Sequence, residues 1–136
     1  MKKVSYALIV LVALLALPAA TLYAQSTGTW FKVPFPFTVA DKAMPAGQYL
    51  VESLYWDAVA IHHTKGEVGL IVLAQKSNPP QDLTPKLVFR RYANVYFLAE
   101  VHLRNMDSGR TLAPGKTEMQ LAQVEKRQPT VEVAGR

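Results

Sequence analysis

The chain has no cysteine among its 136 residues. Disulfide bonds, thiolate metal sites, a cysteine nucleophile and a lipidated N-terminal cysteine are therefore all excluded. The sequence also lacks a glycine-rich phosphate loop, and no serine lies in a Gly-x-Ser-x-Gly or Ser-x-x-Lys motif. Internal repeats are absent as well. The motifs of common nucleotide-binding and serine-dependent enzymes are thus missing, and we expect a protein that is not an enzyme.

What the chain does have is an ordinary globular composition. Half of its residues are apolar and 18% are charged, which is typical of a folded protein rather than a disordered one. A length of 136 residues is enough for one domain and too short for two.

The N-terminus carries the strongest pattern. Two lysines follow Met1, residues 4–17 are almost entirely apolar, and small residues then lead to Ala24. This order is typical of a secretory signal peptide. We expect a signal peptide over residues 1–24, cleaved after Ala24 or, alternatively, after Ser26.

The length of this apolar segment bears on membrane insertion. Its 14 residues are short for a span of about 20. We therefore expect a periplasmic or extracellular protein without stable membrane insertion after cleavage, with a retained anchor as the alternative. Removing Lys2 and Lys3 from the 15 basic residues leaves 13 against 10 acidic ones, a net charge of +3. That charge does not favour a nucleic-acid partner.

The chain after the signal peptide reads as a series of short strands. Residues 30–39 alternate, with Val33, Phe35, Phe37 and Val39 on one face. Pro34 and Pro36 remove two donors from the same side, which predicts an edge strand protected against further pairing.

Three further strands follow, over residues 48–56, 58–63 and 67–74. The turn at 64–66 joins the last two into a hairpin. Residues 68–73 are apolar on both faces, so we expect 67–74 to be a central strand.

A second hairpin is predicted over residues 86–91 and 95–103, with a three-residue loop that places Asn94 in the left-handed region. That register sets Lys86 opposite Glu100 and Arg90 opposite Tyr96, two favourable cross-strand pairs.

Residues 76–85 and 104–115 have the composition of loops. Thr117-x-x-Gln120 has the form of a capping box, which predicts a helix over Glu118 to Arg127, with a last strand as the alternative. The tail at 128–136 is expected to be flexible. Together these segments predict an all-β, mainly antiparallel domain over residues 25–127: a small sandwich or barrel of about seven strands with one short C-terminal helix.

The sequence offers little for catalysis or metal binding. His62 and His63 are adjacent and point to opposite faces of a strand, so they cannot hold one metal together. We expect no metal and no cofactor. A small hydrolase would need an acid and a base in one cleft, for which Glu100 and His102 are the best candidates.

Aromatic residues are the remaining candidates for ligand binding. Most are expected to form the core. Trp56 lies at a predicted turn, where an exposed indole could stack on a sugar, and Tyr49 and Tyr55 could line a barrel interior beside it.

Several stretches in combination resemble a group of small, exported, β-rich bacterial proteins that are uncharacterised. They are residues 33–39 (VPFPFTV), 45–51 (PAGQYLV), 87–92 (LVFRRY) and 96–101 (YFLAEV), with further similarity at 109–112 and 118–122. The group usually has another residue at the position of Pro36. The resemblance implies export and a β-rich domain; it brings no activity, substrate or catalytic residue.

These observations predict a non-enzymatic exported β-domain that acts by binding or assembly in the cell envelope, through another envelope protein or through self-association. The alternative is a carrier that encloses a small apolar or sugar ligand in a barrel interior. An internal cavity bounded by aromatic residues would favour the carrier, and a filled core with an exposed apolar patch would favour assembly.

Overall fold

The computed structural model describes residues 28–55, 57–66, 69–78, 82–104 and 106–136. These residues form eleven strands and one helix. In chain order they are β1 (Thr29–Val33), β2 (Phe37–Val39), β3 (Lys42–Met44), β4 (Gly47–Leu54), β5 (Ala58–His63), β6 (Gly69–Leu73), β7 (Gln75–Lys76), β8 (Lys86–Tyr92), β9 (Val95–His102), β10 (Arg110–Thr111), α1 (Lys116–Val124) and β11 (Arg127–Ala134). The expected signal peptide at 1–24 and the residue Trp56 lie outside the described residues.

The strands form two sheets that curl into a half-barrel. A four-stranded sheet has the order β1-β4-β5-β6, and a seven-stranded sheet has the order β11-β8-β9-β10-β7, with the β2–β3 hairpin beside β9. All pairings between these strands are antiparallel except that of β2 with β9, where Thr38 lies opposite Phe97. The all-β, mainly antiparallel prediction with one short helix near the C-terminus is confirmed.

The two sheets are hydrogen-bonded to each other along one seam. At the other end, the chain passes from one sheet into the other. At the seam, Trp30 N donates to Arg136 O at 3.3 Å and Arg136 N donates to Trp30 O at 2.9 Å. At the other end the chain leaves β6, passes Ala74 and enters β7 in the second sheet.

One hydrophobic core fills the space between the sheets. It draws on the inward faces of both, because alternate residues of each strand are buried. Its largest fully buried side chains are Tyr49, Phe31 and Phe89. Each such ring stabilises the fold by about 1.5–3 kcal/mol relative to an exposed one.

The strand predicted over residues 30–39 is broken, and this part of the prediction is wrong. Pro34–Pro36 separate β1, in the four-stranded sheet, from β2, in the other. The alternation still holds, since Val33, Phe37 and Val39 are buried. The prolines let the chain change sheets while the same side chains keep facing the core.

The register predicted for the second hairpin is also wrong. Tyr92 pairs with Val95, so the loop has two residues, and Ala93 rather than Asn94 has the positive φ, of 50°. A register shift between Val88 and Phe89 then restores the alternation on the core side. Lys86 therefore lies opposite His102 and not Glu100, and Arg90 lies opposite Phe97 and not Tyr96.

The C-terminal segment differs from its prediction in three ways. The helix ends at Val124, and the segment expected to be a flexible tail instead forms β11, paired with β8. The expected capping box is not formed. The Asp41 carboxylate, from the β2–β3 turn, accepts the N–H groups of Lys116 and Thr117 at 3.1 and 3.0 Å.

Strand β6 is an edge and not the central strand that its sequence predicted. It pairs only with β5 among the described strands. Its inward side contributes Val72 to the core, while Ile71 and Leu73 point outward and are exposed.

Candidate functional site

The outer face of the edge strand β6 is the most exposed apolar surface of the four-stranded sheet. Ile71 is 66% exposed and Leu73 is 75% exposed. The register sets Ile71 beside Ala60 and Leu73 beside Ala58, so small side chains on β5 leave both large ones uncovered. We call the exposed strand, residues 69–73 with this outward face, the β6 edge.

The β6 edge lacks the devices that usually protect a strand against pairing. Such devices are charged side chains, prolines, bulges or very short length. Residues 69–73 read Gly-Leu-Ile-Val-Leu and contain no charge and no proline. Their pairing with β5 runs without a register shift.

The other strand edges in the described part of the chain are covered or carry such protection. The outer side of β1 pairs with Gly135 and Arg136. β3 has three residues and begins with the exposed Lys42, and β7 has two residues. β11 contains Pro129 and a register shift between Gln128 and Val131. The β6 edge is therefore the place where the described fold offers unprotected main-chain groups.

A second surface feature is a groove of about 630 Å³ at the seam between β1 and β11. We call it the seam groove. Its side chains combine an indole, two cations, an amide and a hydroxyl, carried by Trp30, Lys32, Arg136, Gln48 and Thr64. Trp30 is 48% exposed.

Of the three aromatic residues expected to line a ligand cavity, Tyr49 and Tyr55 lie in the described part of the chain, and Trp56 lies outside it. Tyr49 is fully buried, between Phe37 at 5.2 Å and His63 at 4.9 Å between ring centroids. Its hydroxyl donates to the carbonyl of Pro45, and burial raises the pKa of its phenol above the usual range. Tyr55 lies in a turn with a φ of 53° and is 86% exposed.

The best candidates for acid–base chemistry are in contact. His102 Nε2 lies 2.9 Å from Glu100 Oε2, and the His102 side chain is 8% exposed. Its Nδ1 atom is buried and has no hydrogen-bond partner among the described residues. Ser77 Oγ lies close by, since both atoms flank Gly109. The His102 ring is therefore largely shielded from solvent, while the Glu100 side chain is 41% exposed.

The remaining histidines are on the four-stranded sheet. His62 Nε2 lies 3.9 Å from Glu52 Oε2. Within the described ranges, no three histidine, aspartate or glutamate side chains are grouped as a metal site would require. In the same residues, no helix has the length and hydrophobicity needed to cross a membrane.

Sequence reasoning missed both surface features. Trp30 could have been identified as outward-facing because it alternates with the core residue Phe31. The β6 edge could not, since a strand apolar on both faces is equally consistent with a central position.

Comparison of the chain with protein-family models, with curated proteins and with solved structures finds no match.

Proposed function

We propose that this chain is an exported, non-enzymatic β-domain that works by assembly in the cell envelope, and that two copies join at the β6 edge. One observation carries the proposal: an uncharged, unprotected edge strand exposes Ile71 and Leu73 on its outward face. Open edges of this kind pair with another strand. The basic and apolar order of residues 1–24 supports export.

A second copy suits this edge because the strand is self-complementary. When two β6 strands pair antiparallel around a two-fold axis at Ile71, each Ile71 lies opposite its counterpart. Gly69 then lies opposite Leu73 on the outward face, and Leu70 lies opposite Val72 on the inward face. No like charges meet across the axis within residues 69–73, so charge repulsion between these residues does not oppose the pairing.

The absence of charge in 69–73 also argues for this occupant over a charged peptide. A partner with acidic or basic side chains would find no complementary group on the strand. The carrier alternative has less support, because Tyr49, expected to line its cavity, is packed between the rings of Phe37 and His63.

The test is sedimentation velocity of the protein recovered from its own export compartment. We expect the wild type to form a dimer and Ile71→Lys to be monomeric, because a lysine pair would meet at the two-fold axis. Val124→Lys is the matched control, since Val124 is 79% exposed and lies on the helix. It should leave the dimer intact.

Circular dichroism and the urea midpoint of each variant separate loss of assembly from loss of folding. A wild type that stays monomeric at high concentration would overturn the proposal. So would an Ile71→Lys variant that dimerises as the wild type does.

A further inference from the structure

We propose that the seam groove is a binding site for an acidic saccharide. The groove lies on β1, at the opposite edge of the four-stranded sheet from β6. It is therefore independent of the assembly proposed above. Its volume of about 630 Å³ is within the range of small-ligand sites, roughly 300–1,000 Å³.

The backbone register fixes which side chains stand together in the groove. Trp30 pairs with Leu50 on β4, and on its other side it exchanges two main-chain hydrogen bonds with Arg136. Residues directly opposite each other point to the same face, with Cβ atoms about 4.5–5.5 Å apart. The Trp30 indole thus stands beside the Arg136 side chain on the outer face.

The neighbouring row on the same face, meaning the next outward-facing pair of residues on β1 and β4, supplies the second cation. Lys32 is two residues from Trp30 and pairs with Gln48, so both point outward with the indole. Thr64 is held at the end of this row by its main-chain N–H, which donates to Gln48 O at 3.1 Å. Strand pairing on both sides of β1 fixes the backbone positions from which these side chains project.

The chemistry of the row suits a sugar with an anionic group. A half-exposed indole offers an apolar face to the C–H groups of a sugar ring, and the amide and hydroxyl can bond its hydroxyl groups. Lys32 and Arg136 form no ion pair with any carboxylate of the described residues. Within the described part of the chain, both cations therefore remain available to a carboxylate or a phosphate of a ligand.

The acid on β4 forms no ion pair with Lys32 or Arg136. Glu52 lies on the following row, and its carboxylate is directed to His62 at 3.9 Å. An indole beside cations also suits single-stranded nucleic acid. The saccharide is favoured because the net charge is small and because export would separate the protein from nucleic acid.

The test is binding of the exported protein to an array that carries acidic oligosaccharides and neutral ones of matched length, with a single-stranded oligodeoxynucleotide as a further probe. We expect binding to acidic members only. Lys32→Gln should weaken it about tenfold, and Trp30→Ala more than tenfold. Lys42→Gln removes the same charge from an exposed position on β3 and should bind as the wild type does.

Each contrary outcome has a clear meaning. Absence of binding to any acidic member, or equal binding to the neutral analogues, would overturn the site. An equal loss of affinity in Lys32→Gln and Lys42→Gln would show that binding depends only on the net charge of the protein. Tighter binding of the oligodeoxynucleotide than of the acidic saccharides would show that the groove binds nucleic acid instead. Ile71→Lys should bind a soluble acidic saccharide fragment as tightly as the wild type does. Failure of the assembly proposal can therefore be distinguished from failure of the saccharide site.

Discussion

Arg90 and Glu118 form a two-pronged ion pair that joins β8 to the helix. Arg90 Nε lies 2.5 Å from Glu118 Oε1, and Nη2 lies 3.1 Å from Oε2. Their side chains are only 12% and 3% exposed. Nη2 also donates to the carbonyl of Leu112 at 3.2 Å, so the guanidinium ties three segments together.

Removing one member of this pair should destabilise the protein strongly. Glu118→Ala leaves the Arg90 charge buried without its carboxylate, and we expect a loss of about 3–5 kcal/mol in the free energy of unfolding. Glu132→Ala is the matched control, because Glu132 pairs with Lys86 at 3.3 Å and its own side chain is 57% exposed. It should cost less than about 1 kcal/mol. Urea unfolding measures both, and equal losses would contradict this account of the pair.

Asp41 should make stability depend on pH in the acid range. The N–H groups of Thr117 and Lys116 bond its carboxylate and hold its pKa below the ordinary value of 3.8. Because the folded pKa is the lower one, the stabilisation is complete above the unfolded pKa and is lost as pH falls through the folded pKa.

The variant Asp41→Asn isolates this contribution. We expect a lower urea midpoint than that of the wild type at neutral pH, and a difference that narrows below about pH 4. Asp57→Asn, in an exposed turn, serves as the control. A difference between Asp41→Asn and the wild type that is constant from neutral to acid pH would show that the carboxylate charge does not cap the helix.

Gly109 should tolerate no side chain. A Cβ atom there would lie 2.5 Å from His102 Cε1 and 2.6 Å from Ser77 Oγ. Since the His102 ring is buried, Gly109→Ala should cost about 1–3 kcal/mol. A Cβ on Gly69 would lie 3.5 Å from His62 Nδ1, an ordinary contact, so Gly69→Ala should be close to neutral.

Both glycine variants are compared by urea unfolding in the Ile71→Lys background, which removes association from the measurement. If Gly109→Ala proved as stable as Gly69→Ala, the close packing of His102 against Gly109 would be wrong.

The sequence could predict those structural features that depend on residues close together along the chain. The alternation of Val33, Phe37 and Val39 was enough to place them on one face, and all three are buried. The helix cap could not be predicted, because Asp41 lies 75 residues from Lys116 along the chain. Thr117 and Gln120 gave a plausible local cap that the tertiary fold replaces.

The surface sites were beyond the sequence for the same reason. The seam groove exists because Trp30 meets Arg136, a pairing between the two ends of the domain that no local pattern specifies. Residues 69–73 are distinguished in the sequence only by their hydrophobicity. Hydrophobicity predicts a strand, but it does not predict whether that strand lies at the edge or in the centre of a sheet.

Assembly and ligand binding together should produce avidity. Antiparallel pairing of two β6 strands keeps the outward faces on one side, with the two β1 strands about 34 Å apart at roughly 4.8 Å per strand. On a surface coated with acidic saccharide, we expect the wild type to bind at least tenfold more tightly than Ile71→Lys. The affinity of both proteins for the coated surface is measured, and calorimetry with a soluble saccharide fragment gives the affinity of a single groove for comparison. Equal surface affinities would show that the two grooves do not act together.

Pairing at the β6 edge is the central claim, and hydrogen–deuterium exchange at high and low protein concentration tests it most directly. We expect the amides of residues 69–73 to exchange more slowly at high concentration, and this difference to vanish in Ile71→Lys. Exchange at 69–73 that does not change with concentration, or protection confined to another strand, would contradict the claim.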